Sequence, residues 1–221
     1  MKKAQHTNAP SAPDRPAQIA VNLRRAMPTT KVELAYRSPW QLLVATILSA
    51  QCTDLRVNQV TPALFKRYAT PRAMAKAMPT ELEGLIRSTG FYKNKAKNLV
   101  GCAQAISTRF GGQVPDTMEE LTSIPGVGRK TANVLLGAAF GKPAIVVDTH
   151  VKRVANRLAM THSSDPEQIE RDLQSLYPQA QWTEVSQRIL LHGRYVCLAR
   201  KPRCTVCPIF DVCGWEGKLL K

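Results

Sequence analysis

The sequence predicts an all-α fold, and two observations lead to that prediction. Apolar residues recur at helical spacing along most of the chain, with proline or glycine between the segments. Strand signals are weak, because the only β-like run, residues 144–147, is too short to support a sheet. A chain of 221 residues can form one large domain or two small ones.

The elements can be predicted in order along the chain. Residues 1–17 contain three prolines and almost no apolar side chains, so we expect a disordered tail. The run from Trp40 to Leu48 is almost continuously apolar, which predicts a helix buried on nearly all sides. The next helix contains Pro62, which is expected to kink or restart it. Further helices are expected near residues 80–88, 93–110, 116–122, 128–140, 149–159, 166–176 and 182–198.

The charge of the chain indicates a polyanionic partner. The formal net charge is +15 and the isoelectric point is near 9.9. Such a field attracts nucleic acid, although solubility or ribosome-like packing are alternatives. No apolar stretch reaches the roughly 18 residues that a membrane span needs, and no signal peptide is evident. We therefore expect a cytoplasmic, nucleoid-associated monomer rather than a secreted disulfide protein.

Four cysteines stand close together near the end of the sequence, as Cys197-x6-Cys204-x2-Cys207-x5-Cys213. Thiolates at this density repel one another unless a metal centre neutralises them. Only one pair has the close CxxC spacing that zinc sites usually provide twice, so the spacing favours an iron–sulfur cluster over zinc, with disulfides a third reading. The other two, Cys52 and Cys102, fall in helical patterns and are expected to be buried thiols.

The segment from Leu121 to Lys130, LTSIPGVGRK, forms a corner between two predicted helices. Gly126 and Gly128 allow a tight turn with exposed backbone amides, and such amides at a helix start can hold a phosphate. An ordinary helical corner is the alternative. The basic residue Arg129 and the overall charge favour DNA backbone binding by a helix–hairpin–helix pattern.

Lys130 falls in the first turn of the second predicted helix of this corner. A lysine there faces an unfavourable helix dipole and, if desolvated, loses its proton more readily. The free amine is a nucleophile that can form a Schiff base at a sugar carbon. The spacing alone leaves open a simpler role as one more cation for phosphate.

Asp148 directly follows the apolar residues 145–147 and precedes a predicted helix. It is well placed as a helix N-cap, which would keep its carboxylate ionised. Capping can be its whole role. An ionised carboxylate near Lys130 would also stabilise a cationic sugar and help to move protons.

These residues resemble one family of repair enzymes. The chain is similar, over roughly residues 18 to 215, to the endonuclease III family of DNA glycosylase/abasic-site lyases, in the helix–hairpin–helix superfamily. The segments that carry the resemblance are LSAQCTD at 48–54, IPGVGRKTAN at 124–133, VDTH at 147–150, and LHGRY at 191–195 leading into the four cysteines.

The resemblance implies a fold and a set of roles. Residues 32–142 would form a six-helix barrel with the helix–hairpin–helix, and residues 18–31 with 143–221 an iron–sulfur cluster domain. Lys130 would be the Schiff-base nucleophile and Asp148 the catalytic carboxylate. The four cysteines would bind a [4Fe–4S] cluster. The substrate would be double-stranded DNA with an oxidised pyrimidine or an abasic site, cleaved by β-elimination.

Further DNA contacts follow from the need to fill the space that an extruded base leaves. By resemblance, Gln51 fills it. Phe91 stands where the family often has an aliphatic wedge, and it is either a wedge or part of the core. The run from Tyr92 to Lys97 would bind phosphates, as would three cations between the first two cysteines. These are Arg200, Lys201 and Arg203.

Two alternatives remain at the level of function. One is a glycosylase without lyase activity that uses Asp148 and water, and the other is a non-catalytic DNA-binding module. Adenine removal is disfavoured, because the adenine glycosylases carry a Glu on the helix of Thr46 and lack the lysine at position 130.

Overall fold

The computed structural model describes residues 14–218, and the regular secondary structure within that range is entirely helical, with no strand. This confirms the all-α prediction. The α-helices, in chain order, are α1 (Asp14–Ala26), α2 (Pro39–Leu48), α3 (Asp54–Arg67), α4 (Pro71–Met74), α5 (Pro79–Ile86), α6 (Tyr92–Arg109), α7 (Met118–Thr122), α8 (Arg129–Ala139), α9 (Thr149–Arg157), α10 (Pro166–Leu176) and α11 (Trp182–Tyr195). Short 3₁₀ turns lie at Arg87–Thr89, Gln179–Gln181 and Cys204–Val206.

Two expectations about single elements are wrong in part. The tail predicted for residues 1–17 lies outside the described residues up to 13, but residues 14–17 form the first turn of α1. Proline is compatible with a first helical turn. The Arg15 guanidinium donates to the backbone oxygens of Leu158 (2.7 Å) and Val212 (2.8 Å), which anchors that turn. At Pro62, where a kink or a restart is expected, no restart occurs, because α3 runs through the proline from Asp54 to Arg67.

The chain divides into two compact units. One contains residues from Lys31 to Ala144, and the other combines residues 14–30 with residues 145–218.

The unit from Lys31 to Ala144 is built around α2. Eight of the ten residues of this helix are buried, as its almost continuously apolar sequence predicted. Helices α3, α6 and α8 all contact it. Ser38 caps its first turn by accepting a hydrogen bond from the backbone amide of Gln41. Burying each Leu or Ile side chain on α2 stabilises the unit by about 1.5–3 kcal/mol relative to exposure.

The other unit is built around the contact between α9 and α11. Gly193 makes that contact possible, because a Cβ atom there would lie 2.9 Å from the Cβ of His150. Helix α1 packs on α11 and adds Ile19 and Leu23 to the core. The Arg188 guanidinium, itself buried, donates to the backbone oxygen of Met27 at 2.9 Å.

No helix of the described residues combines the length and apolar character needed to cross a bilayer.

Candidate functional site

The predicted hairpin is present between α7 and α8. Helix α7 ends at Thr122, and α8 begins at Arg129 with Gly128 as its N-cap. Gly126 has a left-handed backbone (φ +79°), and a Cβ atom there would lie 2.9 Å from the Cβ of Asn98 on α6. Only glycine meets both requirements without strain. The hairpin is therefore a specific turn that packs against α6.

Gly128 is needed for a different reason. Its φ of −92° suits any residue, and a Cβ there would meet no protein atom within 4 Å. The glycine thus leaves open space beside the first amides of α8, which have no partners within a helix. A close approach of an external anion is what such an open helix start allows.

Lys130 and Arg129 occupy the first turn of α8, as predicted, and both side chains are exposed. The condition that Lys130 be desolvated is not met in the free protein. A bound ligand would have to supply that exclusion of water. Lys130 lies beside the hairpin amides, so an exposed amine and an anion-binding helix start are next to each other.

Gln51 and Phe91 share two unusual properties. Both have left-handed backbone conformations, with φ of 52° and 47°, which side-chain-bearing residues rarely adopt. Both are exposed, and Phe91 is 63% exposed despite its apolar ring. The alternative that Phe91 belongs to the core is therefore wrong. Strained, exposed residues on short loops are more typical of binding surfaces than of packing.

The lysine run on α6 does not behave as one surface. Lys93 and Lys97 are exposed, but Lys95 is only 4% exposed. Its Nζ donates to the backbone oxygens of Leu48 and Thr89, both at 2.8 Å. The expectation that the whole run binds phosphates is wrong for Lys95, because it lies on the buried stripe of the helix.

Asp148 caps α9, as predicted. Its Oδ1 accepts hydrogen bonds from the backbone amides of His150 and Val151, both at 2.8 Å. Its other oxygen, Oδ2, makes no hydrogen bond with any residue between 14 and 218. The helix fixes one carboxylate oxygen, and the second can still accept a hydrogen bond or a proton. Capping is therefore compatible with a further role for Asp148.

The four cysteines converge on one cavity, whose lining includes Cys197, Cys204, Cys207 and Cys213 together with His192 and Trp215. All four are free thiols. Burial raises the pKa of Cys207 to about 11, and the charges of the other three act in the same direction. Cysteine binds metals as the thiolate, and a positive centre offsets the cost of deprotonating four neighbouring, partly buried thiols, so the donor set fits a metal cluster.

The spacing of the thiols separates two kinds of centre. Among the described residues, no three His, Cys, Asp or Glu side chains stand close enough to hold a single metal ion. A structural zinc site requires four such ligands on one ion. Four thiols around one cavity, without that tight grouping, suit the larger body of an iron–sulfur cluster.

Helix α9 reaches this cavity with its basic side chains. The Arg157 guanidinium donates to Cys197 Sγ at 3.2 Å and to the backbone oxygen of Leu198 at 2.8 Å, and it lies 4.0 Å from the centre of the Trp215 ring. Arg153 donates to the backbone oxygens of Cys197 and Gly193. The same nine-residue helix therefore carries Asp148 at its start and holds the first cysteine at its end.

The three cations predicted to bind phosphate lie on the segment between the first two cysteines. Arg200, Lys201 and Arg203 are all exposed, and Lys201 has a left-handed backbone (φ 50°). None forms an ion pair with any acidic residue that the structure describes. Their charges remain available to an external anion.

Sequence reasoning missed three of these features, namely the burial of Lys95, the contact of Arg157 with Cys197 and the packing role of Gly193. A signal existed for the first. Lys95 is in phase with the buried Leu99 and Cys102 on α6, at the i+4 and i+7 positions of one helix face.

Comparison with known proteins agrees with this geometry. Residues 44–179 match the family described as HhH-GPD superfamily base excision DNA repair protein, and residues 197–213 match the iron–sulfur binding domain of endonuclease III. Endonuclease III of Synechocystis sp. is 52% identical over 204 residues, which covers 92% of this chain and 93% of that protein. Endonuclease III of Bacillus subtilis is 44% identical over 192 residues, 86% of this chain and 87% of that protein. A solved structure of a trapped endonuclease III–DNA covalent intermediate is 40% identical, with a TM-score of 0.88, over 92% of this chain and 96% of that one.

Proposed function

The chain belongs to the HhH-GPD superfamily of base excision DNA repair proteins, and within it to the endonuclease III family, and on that basis we propose that Lys130 and Asp148 are its catalytic residues. The enzyme is a DNA glycosylase and abasic-site lyase. It removes oxidised pyrimidines from duplex DNA and cleaves the abasic site by β-elimination through a lysine Schiff base. It also binds a [4Fe–4S] cluster.

The observation that supports Lys130 as the nucleophile is its place in the first turn of α8, exposed beside the open amides of the hairpin. DNA phosphate bound at those amides would bring the sugar of the damaged nucleotide to the lysine amine. The amine attacks the anomeric carbon while the glycosidic bond breaks and the base leaves with the bonding electrons. Loss of the amine proton and opening of the sugar give the imine.

The imine makes strand cleavage possible. It acidifies the hydrogen on the neighbouring sugar carbon, and removal of that proton expels the 3′ phosphate by β-elimination. Water then releases the sugar from Lys130. Asp148 contributes through Oδ2, the oxygen that its cap hydrogen bonds leave available. Its negative charge stabilises the positive charge that develops on the sugar, and the same oxygen accepts or returns protons.

Gln51 and Phe91 contact the duplex where the damaged base has left the stack. Their exposure and left-handed backbones support this role, since neither property serves the core. Removing a base from the stack costs a few kcal/mol, and side chains that occupy the vacated space offset that cost. The hairpin residues Gly126, Gly128 and Arg129 bind the backbone, together with Arg200, Lys201 and Arg203.

Cys197, Cys204, Cys207 and Cys213 are the cluster ligands. The cluster supplies the positive centre that holds four thiolates together, and thereby fixes the course of the segment that carries the three exposed cations. Residues 32–142 form the six-helix barrel domain, and residues 18–31 with 143–221 the cluster domain. The division into compact units at Lys31 and Ile145 supports this assignment. The enzyme acts as a monomer on damaged DNA of the nucleoid, in the cytoplasm.

Borohydride trapping tests the proposed nucleophile. The reagent reduces an imine to a stable amine, so the wild-type protein should become covalently joined to DNA that contains an oxidised pyrimidine or an abasic site. Lys130→Gln should abolish trapping and strand cleavage while retaining most DNA affinity, because one cation among many is removed. Lys66→Gln is the matched control, since it removes another exposed positive charge, from α3. Undiminished trapping by Lys130→Gln would exclude this lysine as the nucleophile.

The same experiment separates the alternative functions. A glycosylase that used only Asp148 and water would release the base and leave no adduct. A non-catalytic module would neither release the base nor form an adduct.

A further inference from the structure

The buried lysine on α6 has surroundings that neither catalysis nor phosphate binding explains. Lys95 is 4% exposed, and its two acceptors belong to residues that are themselves buried, Leu48 at 0% and Thr89 at 2%. Leu48 is the last residue of α2, and Thr89 is the last residue of the 3₁₀ turn that follows α5. Carbonyls at the ends of helices lack partners within the helix, and a cation there is favoured by the local dipole.

The acceptors of Lys95 stand immediately before the two exposed, strained residues. Gln51 follows Leu48 by three positions, and Phe91 follows Thr89 by two. Phe91 is also the N-cap of α6, so its backbone oxygen accepts the amide hydrogen bond of Lys95 itself at 3.0 Å. The described residues contain four non-glycine residues with positive φ, and two of them are on these loops. A single ammonium group therefore fixes the base of both loops.

Among residues 14–218, no other donor to these two carbonyls is present. After Leu48, the chain amides of Ser49, Ala50 and Cys52 bond to the oxygens of Ala45, Ile47 and Ser49. After Thr89, the amide of Gly90 bonds to Arg87. The Leu48 and Thr89 oxygens are left to Lys95, and burial keeps water from replacing it.

A lysine suits this position because one Nζ atom carries three donors that can diverge to two acceptors. Burial lowers the pKa of Lys95, and the charge of the nearby Cys52 opposes that change. The two loops are linked by the hydrogen bonds from Lys95 Nζ to the Leu48 and Thr89 oxygens.

We propose that Lys95 is a positioning residue for base extrusion, holding the loops of Gln51 and Phe91 in fixed register so that both side chains enter the duplex together. This inference rests on the proposed function, in which those two residues occupy the space of the extruded base. Lys95 touches no DNA in this scheme. It acts by restricting the backbone freedom that the two loops would otherwise have to lose on binding.

The consequence for the reaction is selective. Release of an oxidised pyrimidine requires the base to leave the stack, whereas a preformed abasic site has no base to extrude. Removing Lys95 should therefore slow base release more than it slows cleavage of a preformed abasic site. A general defect in folding or in the catalytic group would slow both reactions alike.

The test uses the holoenzyme in single-turnover reactions on two duplexes, one with an oxidised pyrimidine and one with a preformed abasic site. A fluorescent adenine analogue beside the lesion reports unstacking. Lys95→Met, which keeps the length of the side chain without its donors, should slow unstacking and base release by about tenfold, within the range of coupled neighbouring residues. The rate of abasic-site cleavage should change by less than about threefold. The control Lys66→Met should change neither the rate of base release nor the rate of abasic-site cleavage.

A double-mutant comparison separates positioning from a simple structural effect. Lys95→Met is combined with Gln51→Ala and Phe91→Ala together, and the unstacking rate is compared in the two backgrounds. If Lys95 acts through these side chains, its substitution has no further effect once both are removed. An equal loss of rate in both backgrounds would refute the proposal, as would an unchanged rate for Lys95→Met alone.

Two further outcomes are distinguishable. If Gln51→Ala and Phe91→Ala leave unstacking unchanged, the proposed function of those residues fails, and the inference about Lys95 fails with it. If Lys95→Met does not fold, Lys95→Arg keeps the charge and donors but displaces them, and the same two comparisons apply to it. Arginine should slow base release several-fold at unchanged thermal stability, and wild-type rates with it would overturn the positioning role.

Discussion

The two glycines of the hairpin provide a matched pair of substitutions, of which one is expected to destabilise the protein and the other to leave its stability nearly unchanged. Gly126→Ala places a Cβ on a backbone with φ of +79°, which costs about 1–2 kcal/mol. The new Cβ would also lie 2.9 Å from the Cβ of Asn98, so α6 or the turn must move. We therefore expect a loss of at least about 2 kcal/mol, which lowers the Tm of a chain of this size by roughly 4–8 °C.

Gly128→Ala introduces the same methyl group two residues later without either penalty. Its φ of −92° is ordinary, and no protein atom lies within 4 Å. Alanine is a poorer N-cap than glycine by up to about 1 kcal/mol, but it also restricts the unfolded chain by about 0.4–1 kcal/mol. These effects nearly cancel, so the Tm should change by less than about 2 °C.

Both variants should bind undamaged duplex DNA more weakly than the wild type, Gly126→Ala because the turn is displaced and Gly128→Ala because its methyl group occupies the approach to the α8 amides. Thermal unfolding of the holoprotein and DNA titration at fixed salt provide the two measurements. An unshifted Tm for Gly126→Ala would refute the argument from φ and Asn98. Wild-type affinity of Gly128→Ala would show that DNA does not approach these amides.

Three other predictions concern separate parts of the molecule. Asp148→Asn should lower base release by at least about tenfold while the Tm changes by less than about 2 °C, because asparagine caps a helix as well as aspartate does. Replacing the exposed cations of the cysteine loop by glutamine should make the slope of log K against log salt shallower by up to about 3; these are Arg200, Lys201 and Arg203. Burial raises the pKa of Cys102 to about 12, so iodoacetamide at pH 8 should label it only after unfolding, since the thiolate is the reactive form.

Each of these has a clear contrary result. A Tm loss for Asp148→Asn comparable to that of a lost cap would mean that its charge serves mainly α9. An unchanged salt slope would place the three cations in solvent rather than at DNA, and cluster absorption near 400 nm should stay constant throughout, because no ligand is altered. Labelling of Cys102 in the folded protein would contradict its complete burial, for which the half-buried Cys52 is the internal comparison.

A structural feature could be predicted from the sequence when the residues that determine it lie close together along the chain. The N-cap at Asp148 and the helix start at Arg129 are set by residues within one turn, so the sequence indicated both. The burial of Lys95 depends on carbonyls 47 and 6 positions away, and nothing within its own run of polar residues reveals them. Its phase with Leu99 was the available signal, and the general expectation that lysine is exposed outweighed it.

The same distinction explains the tail and the cysteine segment. Residues 14–17 contain a proline and no large apolar side chain, yet Arg15 is anchored by backbone oxygens 143 and 197 positions away. The spacing of the cysteines could favour a cluster over zinc, but it could not show that Arg157 donates to Cys197, because that contact joins a helix to a segment 40 positions later. Tertiary partners of this kind leave no periodic pattern in the chain.

The order in which the chain is synthesised has a consequence for the unit that contains α1. Helix α1 is made first, but its partners on α11 and at Val212 are made last. At about 5–20 residues per second, a nascent chain needs roughly 10–40 s to extend from α1 to Val212. The unit from Lys31 to Ala144 is continuous in sequence and can fold on the ribosome during this interval. Until those partners are made, Ile19 and Leu23 of α1 stay exposed to solvent. A chaperone bound early in translation would protect this segment. Cluster loading would come as the last step of maturation.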